Sequence, residues 1–140
     1  MFKLRSGPRL DLTIFFATDI HGSDVCFRKI LAAPDFYKAD VVVLGRILHN
    51  WDLSTKQMLL KKAYDALPAS GALIVYERLI DDDRRVNAPA LLASLNMLIM
   101  TAGGFDFTGA DCMSWMRDAG FHGVRTESLT AEISMVVGIK

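Results

Sequence analysis

Three short apolar runs, each followed by a stretch with helical spacing, leave this chain few folds to choose from. The runs LTIFFAT (Leu12–Thr18), DVVVLG (Asp40–Gly45) and ALIVYE (Ala72–Glu77) are apolar at consecutive rather than alternate positions. Such a strand expects cover on both faces, the condition of a parallel sheet between helices. Between the first two runs, Val25, Phe27, Ile30 and Leu31 recur at helical spacing behind the N-cap candidates Ser23 and Asp24, and Pro34 is expected to break or restart that helix. The next helix opens at Asp52, carries an apolar stripe of Met58, Leu59, Ala63 and Leu67, and ends in the turn Pro68 to Gly71.

The remainder reads as a charged, solvated loop over 81–85, a hydrophobic helix over 89–102 ended by Gly103 and Gly104, and a short amphipathic helix opened by Thr108 and closed by Gly120. Strands over 124–129 and 134–139 close the chain as an antiparallel pair. The order β-α-β-α-β-α-α-β-β predicts an α/β fold: one Rossmann-like three-layer sandwich over residues 1–140, with about five mostly parallel strands and an antiparallel C-terminal strand. Numbered in chain order, the strands are expected to lie 1-2-3-5-4. The first strand is then an edge, and exposed apolar edges recruit partners, so a homodimer through that edge is expected.

A formal net charge of zero gives no electrostatic means of capturing nucleic acid or an anionic membrane. The longest apolar run, residues 91–102, is interrupted by Ser94 and Asn96 and is too short to span a bilayer. The opening MFKLRSGPRLDL shows no secretory signal, and a cytoplasmic location is expected. Cys26 and Cys112 form no CxxC pair and are expected to be reduced, mostly buried small hydrophobes.

Residues 47–52 read Ile-Leu-His-Asn-Trp-Asp. This block resembles the ILHDWxD block of the plant-type, S-adenosylmethionine-dependent O-methyltransferases. The stretches ALPASGALIVYERLI and LNMLIMTAGGFDFTGADCMSWMRDAGF follow in the same order, so the resemblance covers residues 40–140. It implies that His49 is the general base for a substrate hydroxyl, a task suited to an imidazole of near-neutral pKa. It further implies acidic partners at Glu77 and Asp106 and an acceptor pocket at Met97, Met100 and Thr101. Asn50 stands where the family more often has Asp. The family's glycine-rich cofactor turn has no counterpart in Thr-Asp-Ile-His-Gly-Ser after the first strand, which holds one glycine.

The first 40 residues, with TIFFATDIHGSDVCFRKIL, resemble the opening strand, Asp-x-His block and first helix of a calcineurin-like metallophosphoesterase. That likeness implies Asp19 and His21 as ligands of a two-metal centre. The next strand ends Leu44-Gly45-Arg46, with arginine in place of the bridging Asp, and no GNH block follows. Together the two likenesses predict a chimera joined near 40–45 (segments 1–40 and 41–140), artificial or recombined, not catalytic, with no cofactor expected. The alternatives are a methyltransferase-like domain that binds S-adenosylmethionine weakly and uses His49, and a residual metal-dependent phosphoesterase holding a divalent ion.

Overall fold

The computed structural model describes residues 11–18 and 24–140. Five strands form one sheet in the order β1-β2-β3-β5-β4: β1 is Ile14–Thr18, β2 Val41–Gly45, β3 Ala72–Glu77, β4 His122–Ser128 and β5 Ser134–Ile139. This is the expected order. The β1, β2 and β3 strands run parallel, with Phe15 beside Val42 and Val42 beside Leu73; β5 runs antiparallel to both β3 and β4. The helices are α1 (Asp24–Phe36), α2 (Leu53–Ala66), α3 (Ala88–Met100) and α4 (Gly109–Ala119), and a 3-10 turn at Leu48–Asn50 follows β2.

The sheet is held at its base by a reciprocal contact between the starts of β1 and β2. Thr13 donates its backbone N–H to the Asp40 carboxylate at 2.9 Å, and Asp40 returns its own N–H to the Thr13 carbonyl at 2.8 Å. One face of the sheet carries Ala17, Val42, Leu44, Leu73, Val75 and Val136, all buried. Against it pack Leu59, Leu60 and Ala63 of α2 and Cys112 and Met116 of α4.

The opposite face is less covered than the consecutive apolar runs suggested. In β2 and β3 burial alternates, and in β1 Ile14 and Phe16 remain 56% and 55% exposed. On this face Phe16 lies beside Val43 of β2, and its ring stacks with that of Tyr76 from β3 at 6.2 Å between centroids. The helix α3 likewise buries only Ala90, leaving Leu92, Leu95, Leu98, Ile99 and Met100 in the open.

Local signals set the helix ends. Asp52 caps α2 by accepting the Thr55 N–H at 2.8 Å, and Thr108 and Asp111 form a reciprocal capping box on α4, which Gly120 closes at φ 112°. Pro34 does not break α1: the helix runs on to Phe36, and the proline is buried. The expected solvated loop 81–85 is a built turn. Its Asp81 carboxylate accepts the N–H groups of Arg85, Val86 and Asn87, which holds its pKa below the ordinary carboxylate value. Of the two cysteines, Cys112 is buried as expected, whereas Cys26, on α1, is exposed. Among the described residues no helix is long and apolar enough to cross a membrane.

Two outcomes follow from this packing. Leu60→Ala, at a fully buried position, should cost about 2–5 kcal/mol in denaturant unfolding, whereas Leu98→Ala on the open side of α3 should stay within about 0.5 kcal/mol. Equal losses at both sites would mean that α3 is covered in solution. Sedimentation velocity over a range of concentrations should show self-association that Phe16→Lys weakens; a monomer throughout would remove the edge strand as an interface.

Candidate functional site

The parallel pairing of β2 and β3 places their carboxyl ends side by side, with Gly45 opposite Tyr76 and the Arg46 N–H donating to the Tyr76 carbonyl at 3.0 Å. The chain leaves β2 with Arg46 at φ 52°, then turns through Leu48–Asn50. That turn hangs His49 above the end of β3, where Glu77 is the last strand residue. The Glu77 carboxylate is divided between two donors. One oxygen accepts the Leu48 N–H at 3.0 Å, and the other lies 2.8 Å from His49 Nδ1. Both side chains are buried.

Asp106 completes the cluster. It comes from the segment between α3 and α4, where its backbone N–H donates to Ser94 Oγ at 3.2 Å and the neighbouring Phe107 carbonyl accepts the Ile80 N–H. One nitrogen of His49 and one oxygen each of Glu77 and Asp106 lie within 4.8 Å of one another. Burial raises the Asp106 carboxyl above its ordinary pKa; His49, Arg46 and Lys56 oppose that shift and Glu77 adds to it. One oxygen of this carboxylate, Oδ2, is buried with no hydrogen-bond partner among the described residues.

These donor types are those of a divalent-metal site, but their surroundings favour proton chemistry. Glu77 is already engaged by the Leu48 N–H and the His49 ring, and the cations Arg46 and Lys56 act on Asp106. A glutamate at Nδ1 fixes the imidazole orientation and leaves Nε2 as the ring nitrogen not engaged by Glu77.

The structure thus brings His49, Glu77 and Asp106 together. It places Thr101 in a helix-ending turn: its hydroxyl donates to the Met97 carbonyl at 2.8 Å and accepts the Gly104 N–H at 2.7 Å. Gly104 has to be a glycine, because a Cβ there would fall 2.6 Å from the His49 carbonyl oxygen. Met97 is half-buried, and Met100 is 71% exposed at the end of α3. Asp19 and His21 lie outside the described residues.

Lys56 is the component that reading the sequence left out. It sits on the buried stripe of α2, three and four residues before Leu59 and Leu60, and is itself wholly buried. A lysine at an apolar-stripe position was the available signal.

Residues 21–122 match the family described as the O-methyltransferase domain. The chain belongs to that family. TcmO, the tetracenomycin polyketide synthesis 8-O-methyl transferase of Streptomyces glaucescens, is 37% identical over 131 residues, covering 90% of this chain and 39% of its own. The 3-hydroxy-5-methyl-1-naphthoate 3-O-methyltransferase of Streptomyces sahachiroi is 43% identical over 101 residues, 68% of this chain and 29% of that protein. Human N-acetylserotonin methyltransferase, solved in complex with SAM, superposes with a TM-score of 0.70 at 31% identity, over 74% of this chain and 30% of that one. The chain therefore spans no more than 39% of the length of these relatives.

Membership corrects the expectation of a chimera. The family match begins at residue 21 and passes through 40–45 without a break, and TcmO aligns with 90% of the chain. Nothing in these likenesses supports a metallophosphoesterase segment or an artificial fold; the opening strand and Asp-x-His block were too short a signal to carry that assignment.

The ionisation of Asp106 has a measurable consequence for this O-methyltransferase domain. A carboxyl whose folded pKa is raised binds more protons folded than unfolded, so its charge lowers stability above the folded pKa, and the penalty disappears below the unfolded one. Asp106→Asn should therefore melt at a higher temperature than the unmodified chain at pH 7, with the difference shrinking as pH falls through the raised carboxyl pKa and gone below about 4. A pH-independent difference, or a destabilised variant at pH 7, would contradict this account.

Proposed function

We propose that this domain supplies the base side of an S-adenosylmethionine-dependent O-methyltransferase, with His49 taking the proton from an acceptor hydroxyl. The observation that carries the reading is the buried His49–Glu77 contact at 2.8 Å, locked by the Leu48 N–H on the second carboxylate oxygen. With Nδ1–H directed at Glu77, the Nε2 lone pair is available to the hydroxyl. As the acceptor oxygen loses its proton, the imidazole becomes cationic, and Glu77 and Asp106 stabilise that charge. Asp106 does so from a position within 4.8 Å, so its negative charge favours the protonated ring.

S-adenosylmethionine, when bound, supplies an electrophilic methyl group to the deprotonated oxygen. The described residues fit the base side better than the cofactor side. None of them forms a glycine-rich turn at the end of a parallel strand. Gly45, at the end of β2, is closed by an aromatic ring: a Cβ there would lie 2.2 Å from Tyr76. The base, its orienting carboxylate and the second acid are the parts that this chain's own residues hold. Acceptors with an aromatic hydroxyl are the first to test, since naphthoate and acetylserotonin methyltransferases are among the relatives.

The experiment is titration calorimetry with S-adenosylmethionine and S-adenosylhomocysteine, followed by transfer of a labelled methyl group to phenolic and naphtholic acceptors. The expected result is saturable cofactor binding and a transfer rate that His49→Ala lowers by about 10²–10⁴-fold while cofactor binding persists. Transfer that survives His49→Ala undiminished would defeat the proposal.

A further inference from the structure

The ammonium of Lys56 joins two backbone segments that no strand pairing connects. It donates to the Trp51 carbonyl at 2.6 Å and to the Phe105 carbonyl at 2.9 Å. Trp51 lies two residues beyond His49, and Phe105 immediately precedes Asp106. The ammonium also stands 3.1 Å from the centroid of the Phe105 ring and 5.5 Å from that of Phe107. A lysine buried from helix α2, with the whole side chain shielded from solvent, loses its hydration. Two carbonyls, two aromatic faces and nearby carboxylates return part of what hydration gave.

We propose that Lys56 is a positioning residue for the His49–Glu77–Asp106 cluster: it ties the backbone that carries His49 to the backbone that carries Asp106, and its ammonium balances the site carboxylates. The inference rests on the reading of His49 as a base, but its test needs neither cofactor nor methyl acceptor. The charged groups acting on Lys56 are Asp106 from the segment after α3, Glu77 from the end of β3 and Asp52 from the cap of its own helix; Arg46 acts on Asp106 from the end of β2. An apolar side chain of similar length at this position leaves two buried carbonyls without donors and Asp106 without one of its two flanking cations.

Burial depresses the Lys56 pKa to about 8, against the attraction of Asp106, Glu77 and Asp52. The ammonium therefore gives up its proton within an accessible alkaline range, which makes the coupling visible in the unmodified chain.

The test is carbon-detected NMR titration of the Asp106 carboxyl and the His49 ring in the whole chain, in Lys56→Met, in Lys56→Arg, and in Lys61→Met as an exposed control on the same helix. In Lys56→Met the Asp106 midpoint should move to higher pH, and the backbone resonances of residues 49–51 and 104–106 should shift together. Lys56→Arg should restore most of both effects, and Lys61→Met should move neither. A folded Lys56→Met with an unchanged Asp106 midpoint would overturn the proposal. Should that variant not fold, the unmodified chain decides: the Asp106 and His49 resonances should both show an inflection near pH 8 as Lys56 deprotonates, and its absence would equally overturn it. Loss of methyl transfer with these couplings intact would count against the assignment of His49 and not against Lys56.

Discussion

The site depends on one carboxylate held in a fixed place. Glu77 ends β3, and its two oxygens are taken by the Leu48 N–H and the His49 ring. That pair of contacts converts a strand register into a side-chain orientation. With Gly45 beside Tyr76 in the sheet, the residues after β2 must turn directly above the end of β3. The imidazole is then oriented by the same parallel pairing that forms the core. A shift of one residue in that register would turn Glu77 to the other face and leave His49 without a partner.

The cluster is expensive for a domain of this size. His49, Lys56, Glu77 and Asp106 are all buried, and charged groups rarely are unless paired. Replacing such groups by apolar ones is often neutral or stabilising. Their burial here is therefore poorly explained by stability, and the opposed shifts of Asp106 upward and Lys56 downward show two groups each carrying a desolvation penalty. Perturbed titration beside an oriented imidazole is what an acid–base site requires.

Much of this was legible from residue patterns. The caps Asp52 and Thr108, the closing Gly120 and the apolar runs located the elements, because each is a local rule acting on few residues. The sheet order followed from the resemblance to the methyltransferase sheet, with the first strand set in the place of that family's first strand. Burial was less legible. Consecutive apolar residues in Leu12–Thr18 suggested a strand covered on both sides, yet Ile14 and Phe16 are open, since hydrophobicity states a preference for cover and cannot say whether cover is present. Lys56 was missed for the reverse reason: its charge suggested solvent, while its spacing from Leu59 and Leu60 placed it inside. The charge run after Asp81 is exposed as expected, but nothing in its residue pattern showed that three backbone N–H groups converge on the Asp81 carboxylate.

Similarity to longer proteins bears on the open surfaces as well as on the site. The side of the sheet bearing Ile14 and Phe16 and the outer side of α3 are apolar, and the relatives extend well beyond the region this chain matches. The buried half of the sheet, by contrast, closes on its own: Val42, Leu73 and Val136 meet α2 and α4 without help from elsewhere. The base cluster belongs to this closed half, since Glu77 and the turn after β2 are anchored to its strands and Lys56 to its helix. The His49–Glu77–Asp106 cluster thus sits in the part of the fold that is self-sufficient. The glycine cradle for a cofactor has no counterpart among the described residues, and the two functions can be tested apart because the architecture separates them.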